Sequence, residues 1–269
     1  MDVALIGYGA IAQEVLKRIG ADEPARIVAV VVREGRVDEV RTALAAGDSG
    51  RDIEVVSSFD EMTASPALVA ECAGHGGVRQ YGVDALRRGM DFLVISIGVL
   101  ADRDLYAELE RAARDGGAKL VLAAGAVAGA DALAAARIGG LTRVTYTSRK
   151  PPGAWKGTPA EEVCDLDALT EETTLYQGAA AEAATRYPQN ANVAATIALA
   201  GAGFDNTDVR LVADPEAGGN IHRVEAFGTF GEMRVEMRGK PLPDNPKTSS
   251  LTAYSVLRAL RNRAEAVEI

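Results

Sequence analysis

Residues able to do chemistry are sparse in this chain, and their settings narrow what it can catalyse. It has two cysteines and two histidines. Cys164 lies in Glu161-Glu162-Val163-Cys164-Asp165, where adjacent carboxylates raise a thiol pKa and suppress the thiolate. Cys72 sits among apolar strand residues and reads as packing, so no cysteine nucleophile is expected. Nor does any Cys/His spacing match a disulfide framework or zinc site, and no metal is expected. His75 is flanked by glycine at a strand end and reads as a turn or capping residue. In Asn220-Ile221-His222-Arg223-Val224-Glu225-Ala226, strand alternation puts His222 on one face with Val224 and Ala226. That pattern suits a satisfied core histidine. Beside a redox cofactor it equally suits a general base, because an unperturbed imidazole titrates near ~6.5.

The most specific local pattern is Gly7-Tyr8-Gly9-Ala10-Ile11-Ala12, a G-x-G-x-x-A between an apolar run and a helical one. Gly7 permits the tight turn, Gly9 lets a pyrophosphate approach the backbone, and Ala12 allows helix to pack closely on strand. The first N–H groups of the helix, with its partial positive charge, then face the phosphates. NAD-selective sites end the second strand with an acidic residue; this chain has Arg33 there, which suits a 2′-phosphate or adenine stacking and favours NADP as well as NAD. Glu34 next door remains available to a ribose hydroxyl. Further strand ends carry small residues at Ala73-Gly74, Ile97-Gly98 and Gly125-Ala126, as a cofactor cleft requires. Positive groups near Pro151-Pro152-Gly153-Ala154-Trp155 and at Lys247-Thr248-Ser249 suit an anionic substrate, with the latter triplet read as a helix start and the Trp155 loop as one that closes over the site.

These residues need a scaffold, and the hydrophobic pattern supplies one. Strand signals at Val3–Ile6, Ile27–Val32, Leu68–Cys72, Phe92–Ile97 and Lys119–Ala123 alternate with helical spacing at Ala10–Ile19, Val37–Ala46, Val78–Arg88 and Asp102–Arg114. Continuous apolar strands between helices predict an α/β fold: a Rossmann-type doubly wound parallel sheet over residues 1–125. From 126 to 247 the pattern is α+β, with helices expected at Asp131–Ile138, Gln177–Thr185 and Asn192–Ala200. Its strands are expected at Leu141–Ser148, Val209–Asp214, Ile221–Phe227 and Phe230–Met237. A last helix is expected over Ser249–Arg261, and the segment 248–269 that holds it is expected to pack back on the first domain. The net charge is −9, which argues against a nucleic-acid surface, and no apolar stretch reaches the ~18 residues of a membrane span. The opening residues lack a basic leader, so a cytoplasmic protein is expected.

Over nearly its whole length the chain resembles the L-aspartate dehydrogenases. The resemblance rests on the glycine turn, Ala73-Gly74-His75, Gly125-Ala126, Arg149-Lys150-Pro151-Pro152 with Trp155, Tyr187-Pro188-Gln189-Asn190-Ala191-Asn192, Asn220-Ile221-His222 and Asn245-Pro246-Lys247-Thr248-Ser249. It implies a homodimer of two-domain subunits that oxidises L-aspartate to iminoaspartate with NAD or NADP, supplying NAD biosynthesis. On this resemblance His222 is the catalytic base, and Ala126 and Asn192 contact the nicotinamide side of the cofactor. Gly7, Gly9, Ala10, Ile11, Ala12, Arg33, Ala73 and Gly74 are expected to hold the rest of it. Lys150, Lys247, Thr248 and Ser249 are assigned to the substrate. One departure is Ala124, where the family pattern has a serine. Two alternatives fit less well. A reductase of dihydrodipicolinate-reductase architecture would carry a His-His motif, and a dinucleotide-sensing regulator would carry a basic DNA-binding element. Arg33 yields the first test: Arg33→Asp should weaken NADPH binding more than NADH binding in fluorescence titrations. Equal losses would remove Arg33 from cofactor selection.

Overall fold

Short β-branched runs separated by amphipathic segments fold into a parallel sheet whose two faces are both covered. In the computed structural model, which describes residues 1–20, 23–47, 52–243 and 245–268, six strands form this sheet: β1 (Asp2–Ile6), β2 (Arg26–Val31), β3 (Glu54–Val56), β4 (Leu68–Glu71), β5 (Asp91–Val94) and β6 (Leu120–Leu122). Their order is β3-β2-β1-β4-β5-β6, all parallel. The winding reverses beside β1, which opens a crevice outside the carboxyl ends of β1 and β4. β3 is a strand that the sequence pattern passed over; it is only three residues long and gains its identity from pairing with β2.

Helix α1 (Ala10–Arg18) inserts Ala12, Val15 and Leu16 among Val3, Leu5, Ile27 and Val30. Helix α2 (Val37–Ala46) adds Val40. The last helix, α8 (Ser250–Ala264), brings Val256, Leu257 and Leu260 to the same core. On the other side, α3 (His75–Arg87) packs on α4 (Arg103–Gly116) at very close range. Asp102 caps α4 by accepting from Leu105 N, and Gly117 closes it in the left-handed conformation.

The chain divides into two compact units: Met1–Ser96, Asp102–Ala123 and Thr252–Ile269 form one, while Ile97–Ala101 and Ala124–Leu251 form the other. The second is built on a five-stranded mixed sheet of β7 (Leu141–Lys150), β8 (Thr173–Ala179), β9 (Thr207–Ala213), β10 (Asn220–Gly228) and β11 (Gly231–Gly239), in the order β11-β10-β7-β9-β8. Only β7 and β9 run parallel. One face carries Val144, Tyr146, Val209, Leu211, Val224 and Ala226 into a core completed by α5 (Ala130–Gly139), α6 (Ala180–Arg186) and α7 (Ala191–Ala200).

Two expected elements differ. The helix expected over Gln177–Thr185 begins only at Ala180, because residues up to Ala179 pair with β9 as β8; alanine-rich composition had hidden an edge strand. The triplet Lys247-Thr248-Ser249 leads directly into the last helix, one residue ahead of its first turn, but is itself extended. It lies in β13 (Asn245–Ser249), paired with β12 (Pro241–Leu242), and α8 opens at Ser250. Cap-forming side chains favour turns and extended backbone as well as helix starts, and strand pairing decided between them here. Ser250 is tied back to that hairpin, N–H to Lys240 O at 3.0 Å and hydroxyl to Pro241 O at 2.9 Å.

The α3–α4 contact is limited by backbone. A Cβ on Gly116 would lie 1.9 Å from the Leu86 carbonyl oxygen, so no side-chain motion can relieve it. Gly116→Ala should cost about 2 kcal/mol or more in urea unfolding; an unchanged midpoint would show that the helices can slide apart freely.

Candidate active site

The glycine turn is set by what it must approach. Gly7 donates its N–H to Val31 O at 2.8 Å, at the end of β2, and adopts φ +87°. A Cβ there would stand 2.9 Å from the Ala73 Cβ, so the β1–α1 turn and the β4–α3 turn touch only because position 7 is glycine. At Gly9 the nearest atom to a built Cβ is 3.9 Å away, which leaves the backbone open to a ligand. Gly9 is also the N-cap of α1, with no side-chain cap over the helix N-terminus. Around this turn lies a cavity of about 500 Å³ lined by Gly7, Gly9, Arg33, Arg36, Ala73 and Tyr81, among others. A glycine cradle, uncapped helix N–H groups and two guanidiniums are the donor set that a dinucleotide's phosphates require. The residues present therefore fit NAD or NADP.

The adjoining turn is held from beneath by Glu71, a fully buried carboxylate at the end of β4. Its Oε1 accepts from Ala73 N and Gly74 N, both at 2.7 Å, and from the Ser96 hydroxyl at 3.1 Å. Its Oε2 accepts from Ile95 N at 3.3 Å and Ser96 N at 3.0 Å. Burial raises its pKa while these donors pull it down.

In the second unit His222 is 5% exposed, on the covered face of β10. The antiparallel register sets it opposite Ser148 of β7, so Tyr146, Ser148 and Lys150 line the same face beside it. The Tyr146 hydroxyl lies 2.7 Å from His222 Nδ1, and the two rings are nearly parallel at 16° with centroids 6.1 Å apart. Burial first, then the charge of Lys150, pushes the His222 pKa down to about 4. Burial alone lowers Lys150 to about 8. Lys150 Nζ donates to Asn190 Oδ1 at 2.6 Å and stands 5.0 Å from the centre of the Trp155 ring. A neutral imidazole beside a desolvated cation is an arrangement for taking a proton from a substrate that is itself anionic.

The predicted residues fall into several groups. Gly7, Gly9, Arg33 and Ala73 share one cavity, and Gly74 is the N-cap of α3 beside it. Ala10 and Ile11 start α1, with Ile11 half-buried against the core and Ala12 fully buried. His222 and Lys150 come together. Asn192 accepts from Gly98 N at 2.9 Å, binding α7 to the Ile97–Ala101 segment, and Ala126 follows Gly125 in a left-handed turn after β6. Thr248 and Ser249 lie in a strand, and the side chain of Lys247 is outside the described residues. The Trp155 loop is not a lid: Trp155 is fully buried, with Nε1 bonded to Val212 O at 3.1 Å. Its single large apolar ring is worth more in the core than at a loop tip. Arg149 points to the opposite face, paired with Glu172 at 2.8 Å and Asp214 at 3.3 Å. Residue-by-residue reading missed Glu71, Tyr146 and Arg36. Alternation on β7 places Tyr146 on one face, but only the inter-strand register brings it to His222.

Comparison with known proteins agrees with this geometry. The description "Aspartate dehydrogenase, C-terminal" matches residues 131–263, and "Homoserine dehydrogenase, NAD binding domain" matches residues 7–123. The crystal structure of aspartate dehydrogenase from Thermotoga maritima superposes with a TM-score of 0.75 at 24% identity, covering 100% of this chain and 99% of that one, which establishes the shared fold. L-aspartate dehydrogenases of Cupriavidus necator and Pseudomonas aeruginosa are 49% and 48% identical to it, each over 100% of both chains. Identity near one half, sustained from end to end, means that this chain belongs to the L-aspartate dehydrogenase family.

Proposed function

We propose that this protein catalyses the oxidation of L-aspartate to iminoaspartate with NAD or NADP, and that His222 is its general base. The activity is the one named for its full-length relatives, and the observation that carries the assignment of His222 is its burial beside Tyr146 and Lys150. A bound nicotinamide would supply the acceptor for the hydride on the substrate Cα. The protein's own part is to hold aspartate and to remove an ammonium proton, which frees the nitrogen lone pair that makes the hydride a leaving group.

With a pKa near 4, His222 is neutral at physiological pH and ready to accept. Tyr146 occupies Nδ1, so Nε2 is the nitrogen left for the substrate amine. That role needs the Nδ1 proton to point at the Tyr146 oxygen. Lys150, protonated below about 8, is the group suited to a substrate carboxylate, which would restore the charge balance that burial denies it. The turn at Gly7 and Gly9, with Arg33 and Arg36, would hold the cofactor phosphates. Both cysteines are free, which supports a reducing, cytoplasmic setting, and no described helix is long and apolar enough to cross a membrane. We also propose that the enzyme works as a homodimer and that its product feeds NAD biosynthesis.

Measuring NADH appearance with aspartate against a panel of amino acids tests the activity; no rate with aspartate would sink it. His222→Ala should lower kcat by ~10²-fold or more with NADH affinity retained, and Tyr146→Phe by about tenfold with little change in KM. A wild-type kcat in His222→Ala would remove the imidazole from the reaction. Because Lys150 loses its proton as pH rises through about 8, KM for aspartate should climb above that pH. Lys150→Met should have a high KM at every pH, without that inflection. An inflection that survives the substitution would assign it to another group.

A further inference from the structure

Buried polar side chains are almost always hydrogen-bonded, so an orphan inside a reactive cluster calls for a partner. Ser148 is such a case: it is 1% exposed, and among the described residues its hydroxyl makes no hydrogen bond. It shares the covered face of β7 with Tyr146 and Lys150, and the register sets it directly opposite His222. Lys150 O accepts from Asp214 N on the β9 side, so the even-numbered residues of β7 bond toward β9. Ser148 and His222 are therefore a non-hydrogen-bonded pair across β7 and β10, the arrangement that brings opposite side chains closest. The Ser148 hydroxyl borders that of Tyr146 closely enough to offset part of the rise that burial gives the tyrosine pKa, although no bond of good geometry joins them.

His222 poses the complementary problem. A neutral imidazole carries one ring proton, and only with that proton on Nδ1 is Nε2 free to take one from a substrate amine. The Tyr146 hydroxyl meets Nδ1 at 2.7 Å. A ring nitrogen is a better acceptor than a hydroxyl, so a tyrosine with no other acceptor donates to Nδ1 and leaves the ring proton on Nε2, where it blocks the base. Tyr146 can accept from Nδ1 only when its own proton goes elsewhere, and the Ser148 oxygen is the open acceptor beside it. A buried serine that accepts in this way must point its own proton at something. Lys150, the next residue on that face, is suited to hold a carboxylate there.

We propose that Ser148 is a positioning residue that couples substrate binding to the tautomer of the base: its hydroxyl donates to the substrate carboxylate and accepts from Tyr146, which turns the Nδ1 proton of His222 toward the tyrosine. This rests on His222 being the base, as proposed above. All donors then point one way, from Nδ1–H to the Tyr146 oxygen, from Tyr146 O–H to the Ser148 oxygen, and from Ser148 O–H to the carboxylate. The imidazole stays neutral, losing a proton to water at Nε2 and taking one from water at Nδ1. Each hydrogen bond in such a run polarises the next, and a negative charge at its end strengthens them all. An amine without a carboxylate at that place leaves the run undirected and the base blocked, so the device rejects such amines in the chemical step as well as in binding.

NMR of the histidine ring nitrogens in the full-length protein with bound NADH tests this, using succinate as a dicarboxylate that has no amine to react. The chain has two histidines, so the His222 signals are identified by their loss in His222→Ala. In the wild type succinate should move the ring proton from Nε2 to Nδ1; in Ser148→Ala it should not. With aspartate, Ser148→Ala should lower kcat by about tenfold and raise KM by about fivefold, while Ser148→Thr, which keeps the hydroxyl, should stay within about threefold of the wild type. Because the hydroxyl makes no bond in the folded chain, Ser148→Ala should unfold at no lower urea concentration than the wild type, which separates its role from a structural one. A ring proton already on Nδ1 before succinate is added, signals that succinate does not move, a shift that persists in Ser148→Ala, or a wild-type kcat in that variant would each overturn the proposal. Aspartate turnover by the wild type reports on the enzymatic reading alone.

Discussion

A single buried carboxylate holds the crevice end of the first unit together. Glu71 meets five hydrogen-bond donors, from Ala73, Gly74, Ile95 and Ser96. Desolvating a carboxylate is expensive, and that cost is tolerated only where its lone pairs are filled by donors that have no better partner. The main-chain N–H groups just past β4 and β5 are such donors, since the parallel ladder ends before them. Glu71 thereby fixes the β4–α3 turn, and that turn in turn sets Ala73 against Gly7. The cradle for a pyrophosphate is thus shaped by a residue that does not line it.

From Ser96 the chain runs directly into Ile97–Ala101, which packs with α6 and α7 and is held by Asn192 through Gly98. The residue that family resemblance assigns to the nicotinamide side therefore also carries a structural bond. Substituting Asn192 would disturb the backbone after β5 as well as any ligand contact, so a loss of function there has two physical causes that kinetics alone would not separate.

The second sheet keeps its polar chemistry on its covered face. Tyr146, Ser148, Lys150 and His222 gather where dielectric screening is weak, which is why the imidazole and the ammonium are both driven toward their neutral forms. Among the described residues no carboxylate pairs with Lys150, in contrast to Arg149 next to it, which faces the other way and is doubly paired. Strand alternation sorts two adjacent cations into a buried position suited to an anionic ligand and a surface ion network.

Much of this was legible in the residues themselves. The strand–turn–helix at Gly7-Tyr8-Gly9 and the alternation of apolar runs with helical spacing specify a doubly wound sheet, because tight turns and burial on both faces leave few other solutions. The face of His222 followed from a period of two. Other features were settled by partners distant in sequence. β3 and β8 are strands because a neighbouring strand bonds them, and 245–249 is extended up to the first residue of α8 for the same reason. Trp155 is core because Val212 accepts its N–H and Tyr187 packs against its ring. Tyr146 lies 76 positions from His222 in the chain and reaches Nδ1 only through the β7–β10 register. Local composition states what each segment prefers; hydrogen bonding and burial across the sheet choose among those preferences, and the proton-handling cluster is assembled by that choice.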